Sequence, residues 1–152
     1  MSFSGALRRN VLLLSACQAL MLSGSSLIIA TSALTGLSLA SNSLWATVPL
    51  SCMFVGTWLT TLPASLIMKR IGRRAGFMIG PFAGLVGAAV AIHAITERDF
   101  WLFCAGSFLI GVLNGVGHYY RFAAADVSGS AYRSRAISWA LAGGVVAAFV
   151  GP

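Results

Sequence analysis

A short basic segment, Lys69-Arg70-Ile71-Gly72-Arg73-Arg74, separates two apolar runs that are each long enough to cross a membrane. We refer to residues 69–74 as the basic segment. Positive charges gathered in a short connection between two membrane spans are held on the cytoplasmic side. The basic segment therefore predicts an integral membrane protein and fixes one of its connections as cytoplasmic.

The composition agrees with a membrane protein. Of the 152 residues, 58% are hydrophobic and 9% are charged, whereas soluble domains average roughly 45–50% and 25%. The formal net charge of +7 would suggest a nucleic-acid partner in a soluble protein. Here the basic residues lie in the gaps between apolar runs, so we interpret them as topology signals and expect no nucleic-acid partner.

The apolar runs predict an all-α transmembrane helix bundle with five spans. The expected bounds are about 11–34, 44–68, 75–95, 100–123 and 136–152. A helix of about 20 residues crosses a hydrocarbon core of about 30 Å. Arg8 and Arg9 could instead begin a secretory signal with a cleavage pattern near Ser38 and Ala40. The first run is longer than a signal core and four further runs follow, so we favour a retained first span.

The basic residues divide unequally between the two sides of such a bundle. Apart from Arg98, all of them fall on the side of the basic segment: Arg8, Arg9, Lys69, Arg70, Arg73, Arg74, Arg121, Arg133 and Arg135. This bias predicts a cytoplasmic amino terminus. It also predicts a multi-pass protein of the plasma membrane, which in a bacterium is the inner membrane.

The last apolar run ends at Gly151-Pro152 without a polar anchor after it. As a helix, residues 136–152 would cover only about 25 Å. We therefore expect residues 1–152 to be a truncated amino-terminal transmembrane half-domain.

The basic segment resembles a loop motif of the major facilitator superfamily of secondary transporters, Gly-x-x-x-Asp-Arg-x-Gly-Arg-Arg/Lys. The matching run is 65–74, in which Arg70, Gly72, Arg73 and Arg74 agree with the motif. Ser65 replaces its glycine, and Lys69 replaces its aspartate. In the family that aspartate is thought to latch the cytoplasmic helix ends, and a lysine cannot accept its hydrogen bonds.

Two further partial matches support the resemblance. Asn114-Gly115-Val116-Gly117 is similar to the Gln-Gly-x-Gly part of a fourth-span motif, although Gly111 stands where that motif has arginine. In the fifth run, Gly143, Ala147 and Gly151-Pro152 resemble a small-residue pattern that ends in Gly-Pro in antiporters of the superfamily.

The resemblance implies a parent protein of twelve helices that moves a small solute by alternating access between two halves. On this view the chain lacks the sixth helix and the second half. The implied partners are the solute, the lipid bilayer, the missing carboxy-terminal half and a candidate coupling proton or ion. No cofactor is implied.

The third run carries a small residue at every fourth position, at Gly76, Gly80, Gly84 and Ala88. Small residues let two membrane helices approach closely. We therefore predict that this stripe is a helix-packing surface rather than a nucleotide-binding loop.

Polar residues within spans are the candidates for a substrate cavity, because burying them in lipid without a partner costs free energy. They are Gln18, Ser25, Asn114 and His118. The alternative for Ser25 and its neighbours Ser23 and Ser26 is a hydrogen bond to the preceding turn. Asn114 and His118 are four residues apart, which predicts one helix face. His118 is either a proton-coupling group or an interfacial histidine.

Arg121 and Asp126 are predicted to form a cytoplasmic ion-pair cluster with the basic segment, and the alternative is that they are plain topology charges.

An alternative function for the whole chain is a small oligomeric membrane channel or scaffold. An enzyme is not expected, because the sequence offers no paired acids, no His-x-x-x-His and no nucleophile with a base. Three isolated thiols, Cys17, Cys52 and Cys104, suggest neither a disulfide nor a metal site.

Overall fold

The computed structural model describes residues 5–40, 42–120, 123 and 138. This part of the chain forms four α-helices and contains no strand. They are α1 (Gly5–Leu39), α2 (Val48–Ile71), α3 (Arg73–Glu97) and α4 (Phe100–Gly117). All four are long and apolar enough to cross a membrane. The all-helical prediction is confirmed for these four runs, and the fifth, 136–152, lies outside the described residues except for Ser138.

The helices expose many large apolar side chains. Leu20, Trp58, Phe82 and Leu85 are 69–75% exposed. Contact with water costs apolar surface about 25 cal/mol per Å², whereas lipid removes that cost. The exposed side chains are thus suited to a hydrocarbon environment.

The first helix is longer than predicted. The expected connection at 35–43 is wrong in its first half, because α1 continues to Leu39. The polar residues there are accommodated within the helix, since the Ser38 hydroxyl donates to the Thr35 carbonyl at 2.8 Å. The chain leaves the helix only before Asn42, whose side chain accepts from the Leu44 amide at 3.2 Å and caps a 3-10 turn at Ser43–Trp45.

A single residue, Gly72, joins α2 to α3. Its φ of 87° and ψ of 154° lie in a region that is essentially restricted to glycine. Lys69 and Arg70 occupy the last turn of α2, where the helix dipole favours cations. The basic segment therefore consists of the last turn of α2 and the first residues of α3, joined by Gly72.

The connection from α3 to α4 is also short. Arg98 ends α3 in the left-handed conformation, with φ 55°. The Asp99 carboxylate Oδ1 then accepts from the Trp101 and Leu102 amides at 2.9 and 3.1 Å. This is the bonding of a helix N-cap, and it starts α4 immediately.

Helix α4 packs against both α2 and α3. On one side, a Cβ at Gly111 would lie 3.0 Å from the Thr57 amide nitrogen of α2 and would overlap the Met53 carbonyl oxygen. On the other side, a Cβ at Gly106 would lie 2.9 Å from the Gly87 carbonyl oxygen of α3. Glycines on α4 thus allow backbone-to-backbone contact with two neighbours, as is common between membrane helices.

The small-residue face of α3 differs from the predicted stripe at one end. A Cβ at Gly80 or Gly84 would meet Val116 or Leu113 of α4 at 2.8 and 2.6 Å. The next contact is made by Gly87, while Ala88 is exposed. At about 100° per residue, Gly87 lies about 20° from the direction of Gly76, whereas Ala88 lies about 120° away. Because each four-residue step advances about 40° around the helix, a strict four-residue spacing leaves the face of α3 that contacts its neighbours.

The chain divides into two compact units, one of residues 1–27 and 118–152 and the other of residues 28–117. The packing of α2, α3 and α4 belongs to the second unit. Helix α4 ends at Gly117 and residues 118–119 form a turn, but Tyr120 and Ala123 beyond it are again helical, so the expected end of the fourth span near 123 stays a prediction. Gly115 and Gly117 in its last turn are poor helix formers, which favours an early end.

Candidate functional site

The first helix buries polar side chains in a regular pattern. Gln18 and Ser25 belong to the unit that contains residues 1–27, and Ser32 belongs to the unit of residues 28–117. They follow one another at seven-residue intervals. Seven residues turn a helix by about 700°, only about 20° short of two full turns. The spacing therefore places Gln18 and Ser25 near one face of the part of α1 that belongs to the first unit.

Two of these side chains have a buried polar atom without a partner. Gln18 is 5% exposed and Ser32 is 1% exposed. The Gln18 Oε1 and the Ser32 Oγ find no hydrogen-bond partner among the described residues. A buried polar atom left unsatisfied costs about 1–3 kcal/mol. Retaining such atoms is explained if something that is not part of the described chain bonds to them.

Ser25 differs from these two residues. Its hydroxyl donates to the Met21 carbonyl at 2.8 Å, one turn earlier in the same helix. This is the back-bonding arrangement that the sequence left open as the alternative to a cavity role.

Helix α4 carries a second pair of buried polar residues, Ser107 and Asn114, which are 1% and 7% exposed. They are also seven residues apart and so lie near one face of α4. The Ser107 hydroxyl donates to the Phe103 carbonyl at 2.9 Å. The Asn114 side chain is a buried, uncharged amide.

His118 lies beyond the last residue of α4, in a turn, and is half-buried. Asn114 belongs to the unit of residues 28–117 and His118 to the other unit, so the shared helix face of these two residues stays a prediction.

The basic segment presents its charges at the surface. The side chains of Lys69, Arg70 and Arg74 are exposed, as is Gly72. The residues expected to face them, Arg121 and Asp126, lie outside the described part of the chain.

Of the predicted packing residues, Gly80 and Gly84 lie against α4, while Gly143, Gly151 and Pro152 lie outside the described part.

The described helices keep formal charges at their ends. Glu97, Arg98 and Asp99 lie at the junction of α3 and α4, and the basic segment lies at the junction of α2 and α3. No group of three or more His, Cys, Asp or Glu side chains in the described ranges is placed to hold a metal ion. The interior polar groups are thus amides and hydroxyls.

Ser32 and Ser107 were missed as candidates on the sequence. Serine is common in apolar helices, so neither residue draws attention by type. The repeat of Gln18, Ser25 and Ser32, and of Ser107 and Asn114, at seven residues is the signal that could have found them.

Residues 15–151 match the family described as sugar (and other) transporter. The chain belongs to this family. It is therefore a member of the major facilitator superfamily, a group of multi-pass membrane transporters, as the motifs of the sequence predicted.

Individual relatives agree. The chain is 38% identical over 152 residues to the riboflavin transporter RfnT of Brucella anthropi, a match that covers 100% of this chain and 38% of that protein. It is 28% identical over 64 residues to the glucose transporter HT1 of Trypanosoma vivax, covering 42% of this chain and 12% of that transporter. No solved structure matches the chain. The chain thus spans much less than half the length of both relatives.

Proposed function

We propose that this chain forms part of a transporter that moves a small, uncharged, hydroxyl-bearing organic solute by alternating access, with riboflavin as the first candidate. The observation that carries the proposal is the 38% identity to a riboflavin transporter, sustained over 100% of this chain. The match to the glucose transporter covers 42% of the chain and supports sugar as a weaker candidate.

The chemistry of the buried polar groups supports an uncharged solute. The Gln18 and Asn114 amides and the Ser32 hydroxyl can donate and accept hydrogen bonds without carrying charge. A charged solute in a membrane interior would require a counter-charge, and the described spans keep Asp, Glu, Lys and Arg at their ends. The Gln18 Oε1, which has no partner among the described residues, is the atom best suited to accept from a solute hydroxyl.

The proposed topology places the amino terminus and the basic segment in the cytoplasm, with a fifth span after α4. It is supported by the unequal division of the basic residues, since all except Arg98 fall in the connections assigned to the cytoplasmic side. In this arrangement Arg121 and Asp126 would meet the basic segment at the cytoplasmic helix ends. An ion pair there would take over the latching that the missing motif aspartate provides in the family.

We further propose that transport needs sequence beyond these residues. The chain spans 38% of the length of the riboflavin transporter, and alternating access requires two halves that move against each other. Residues 1–152 would then supply a large part of the first half.

The proposal is tested by growth of a riboflavin auxotroph that lacks its own uptake system. The complete reading frame that contains this chain should allow growth on low external riboflavin. Gln18→Leu should abolish that growth, while Gly24→Ala, which adds a methyl group where no other atom lies within 4 Å, should preserve it. Failure of the wild-type protein to support growth, although it is present in the membrane fraction, would contradict the proposal.

Expression of residues 1–152 alone in the same auxotroph distinguishes the proposed function from the alternative of a small oligomeric membrane channel or scaffold. The proposal expects no growth from them. Growth would favour a small membrane protein that becomes functional by self-association.

A further inference from the structure

A cavity of about 480 Å³ lies at the end of the 28–117 unit that is opposite the basic segment. It is opposite because α2 runs from this end to Gly72 and α3 returns from Gly72 to it. The residues that matter to its chemistry are Asn42, Trp45, Glu97, Arg98, Phe100 and Trp101. Its volume falls within the range of about 300–1,000 Å³ that is typical of small-molecule sites.

Three aromatic rings form one wall of this cavity. The Trp45 ring centroid lies 6.5 Å from that of Phe100 and 5.9 Å from that of Trp101, at interplanar angles of 87° and 74°. Phe100 and Trp101 are also edge-to-face, at 5.5 Å and 77°. Edge-to-face contacts hold the rings in place. Since Trp45 remains 46% exposed and Trp101 66% exposed, much of their ring surface is open to a ligand.

Polar groups complete the cavity. The Asn42 Oδ1 and the Asp99 Oδ1 already accept backbone amides, so these two atoms serve the turns. Glu97 is exposed and also lines the cavity, and its carboxylate can accept two hydroxyl donors. The cavity therefore combines open indole faces with a hydrogen-bond acceptor for hydroxyl groups.

We propose that this cavity is a vestibule that binds the planar aromatic ring of the transported solute before the solute enters the membrane interior. The ring would stack on the exposed face of Trp101 and meet Trp45, whose ring is inclined at 74° to that of Trp101, in an edge-to-face contact, and hydroxyl groups of its side chain would donate to Glu97. This inference rests on the proposed function, and it names a recognition site for the same solute that is separate from the polar residues within the helices. A ring with a polyol tail, as in riboflavin, satisfies both parts of the cavity.

Tryptophans at a membrane surface commonly serve as interfacial anchors. That explanation differs from the vestibule in its consequences. An anchor is insensitive to which solute is present, whereas a vestibule residue affects binding of an aromatic solute and leaves the later transport step unchanged.

The test uses the intact protein in lipid nanodiscs, with quenching of flavin fluorescence as the measure of binding. The probes are riboflavin, lumichrome, which keeps the ring system but lacks the polyol, and ribitol, which is the polyol alone. Trp101→Leu retains apolar bulk but removes the ring, and Trp58→Leu is the matched control, since Trp58 is 70% exposed on α2 and is not part of the cavity wall.

Trp101→Leu should weaken binding of both riboflavin and lumichrome by roughly three- to tenfold, the range expected for loss of an aromatic contact. Trp58→Leu should change neither. Glu97→Gln should weaken riboflavin binding and leave lumichrome binding unchanged, and ribitol should compete poorly with riboflavin. In uptake, Trp101→Leu should raise KM by a similar factor and preserve the maximal rate.

The possible failures are distinguishable. If the wild-type protein transports riboflavin and the Trp101 and Glu97 variants bind and transport it equally well, the vestibule is overturned and the proposed function stands. If the wild-type protein does not transport riboflavin, the proposed function is overturned. In that case lumichrome binding decides whether the aromatic site exists. Lumichrome binding to the wild-type protein that Trp101→Leu weakens would support the site, and absence of such binding would overturn it. A thermal unfolding measurement on each variant separates loss of binding from loss of folding, and Trp45→Leu provides a second variant.

Discussion

Gly111→Ala should push α4 away from α2 and lower the stability of the protein. A Cβ at this position would lie 3.0 Å from both the Thr57 amide nitrogen and the Met53 carbonyl carbon, and nearer still to the Met53 carbonyl oxygen. All three are backbone atoms, which cannot rotate aside. Since nonbonded carbon atoms prefer about 3.5–4.0 Å, relief of the 3.0 Å contacts alone requires a local separation of the helices of about 0.5–1 Å, and the overlap with the Met53 carbonyl oxygen sets the upper end of that range as a minimum.

Two opposing contributions set the magnitude. A separation of that size forfeits about a quarter to a half of the affected contact energy, and overpacking of this kind costs about 1–3 kcal/mol. Alanine recovers up to about 1 kcal/mol because it is a better helix former than glycine. The expected net loss is about 1–2 kcal/mol in the free energy of unfolding. At about 2–4 °C per kcal/mol, the Tm should fall by roughly 2–8 °C.

The assay is thermal unfolding in detergent with a dye that becomes fluorescent on reaction with thiols. Cys104 is buried and reacts when the helices separate. Gly24→Ala is the matched control, because Gly24 has no neighbouring atom within 4 Å of the added Cβ, so only helix propensity acts and stability should be unchanged or slightly higher. Equal Tm values for the two variants would refute the close α2–α4 approach at Gly111.

Other substitutions test other parts of the structure. Asp99→Ala should cost about 1 kcal/mol by removing the N-cap of α4, while Asp99→Asn, which keeps an acceptor, should cost less; equal Tm values for the two would count against the cap. Gly72→Ala should cost about 1–3 kcal/mol, because no atom lies within 4 Å of the new Cβ and the strain is that of the backbone alone; an unchanged Tm would contradict this. Gln18→Leu should leave the Tm unchanged or raise it, since it removes a buried oxygen that has no partner among the described residues, yet riboflavin uptake should fall; full uptake would remove Gln18 from the site. Cysteines introduced at Thr96 and Ser128 should react with an impermeant thiol reagent from opposite sides of the membrane, and labelling of both from one side would overturn the proposed topology.

The sequence predicts the helices well because membrane spans are determined by composition over about 20 residues. It predicts helix ends less well, because these depend on individual hydrogen bonds. At the end of α1, the Ser38 hydroxyl is satisfied by the Thr35 carbonyl within the helix, although a serine near a predicted end suggests a loop. Conversely, a turn at residues 118–119 interrupts the helical chain after Gly117, although the surrounding residues are apolar enough to continue the helix.

Prediction of the candidate site was limited in the same way, because burial and hydrogen bonding of single side chains cannot be read from the sequence. Gln18 and Asn114 stand out by residue type in apolar helices, and both are buried. Ser32 does not stand out by residue type, and it differs from other serines in that its buried hydroxyl has no partner among the described residues. The vestibule could not be predicted from spacing, because it joins Trp45 to Trp101 across connections that are far apart in sequence.

Uptake of radiolabelled riboflavin into proteoliposomes that contain the complete purified protein tests the central proposal most directly. We predict saturable uptake that excess unlabelled riboflavin blocks and excess glucose does not. Uptake no greater than that of protein-free liposomes, from protein shown to be folded and inserted, would contradict the account.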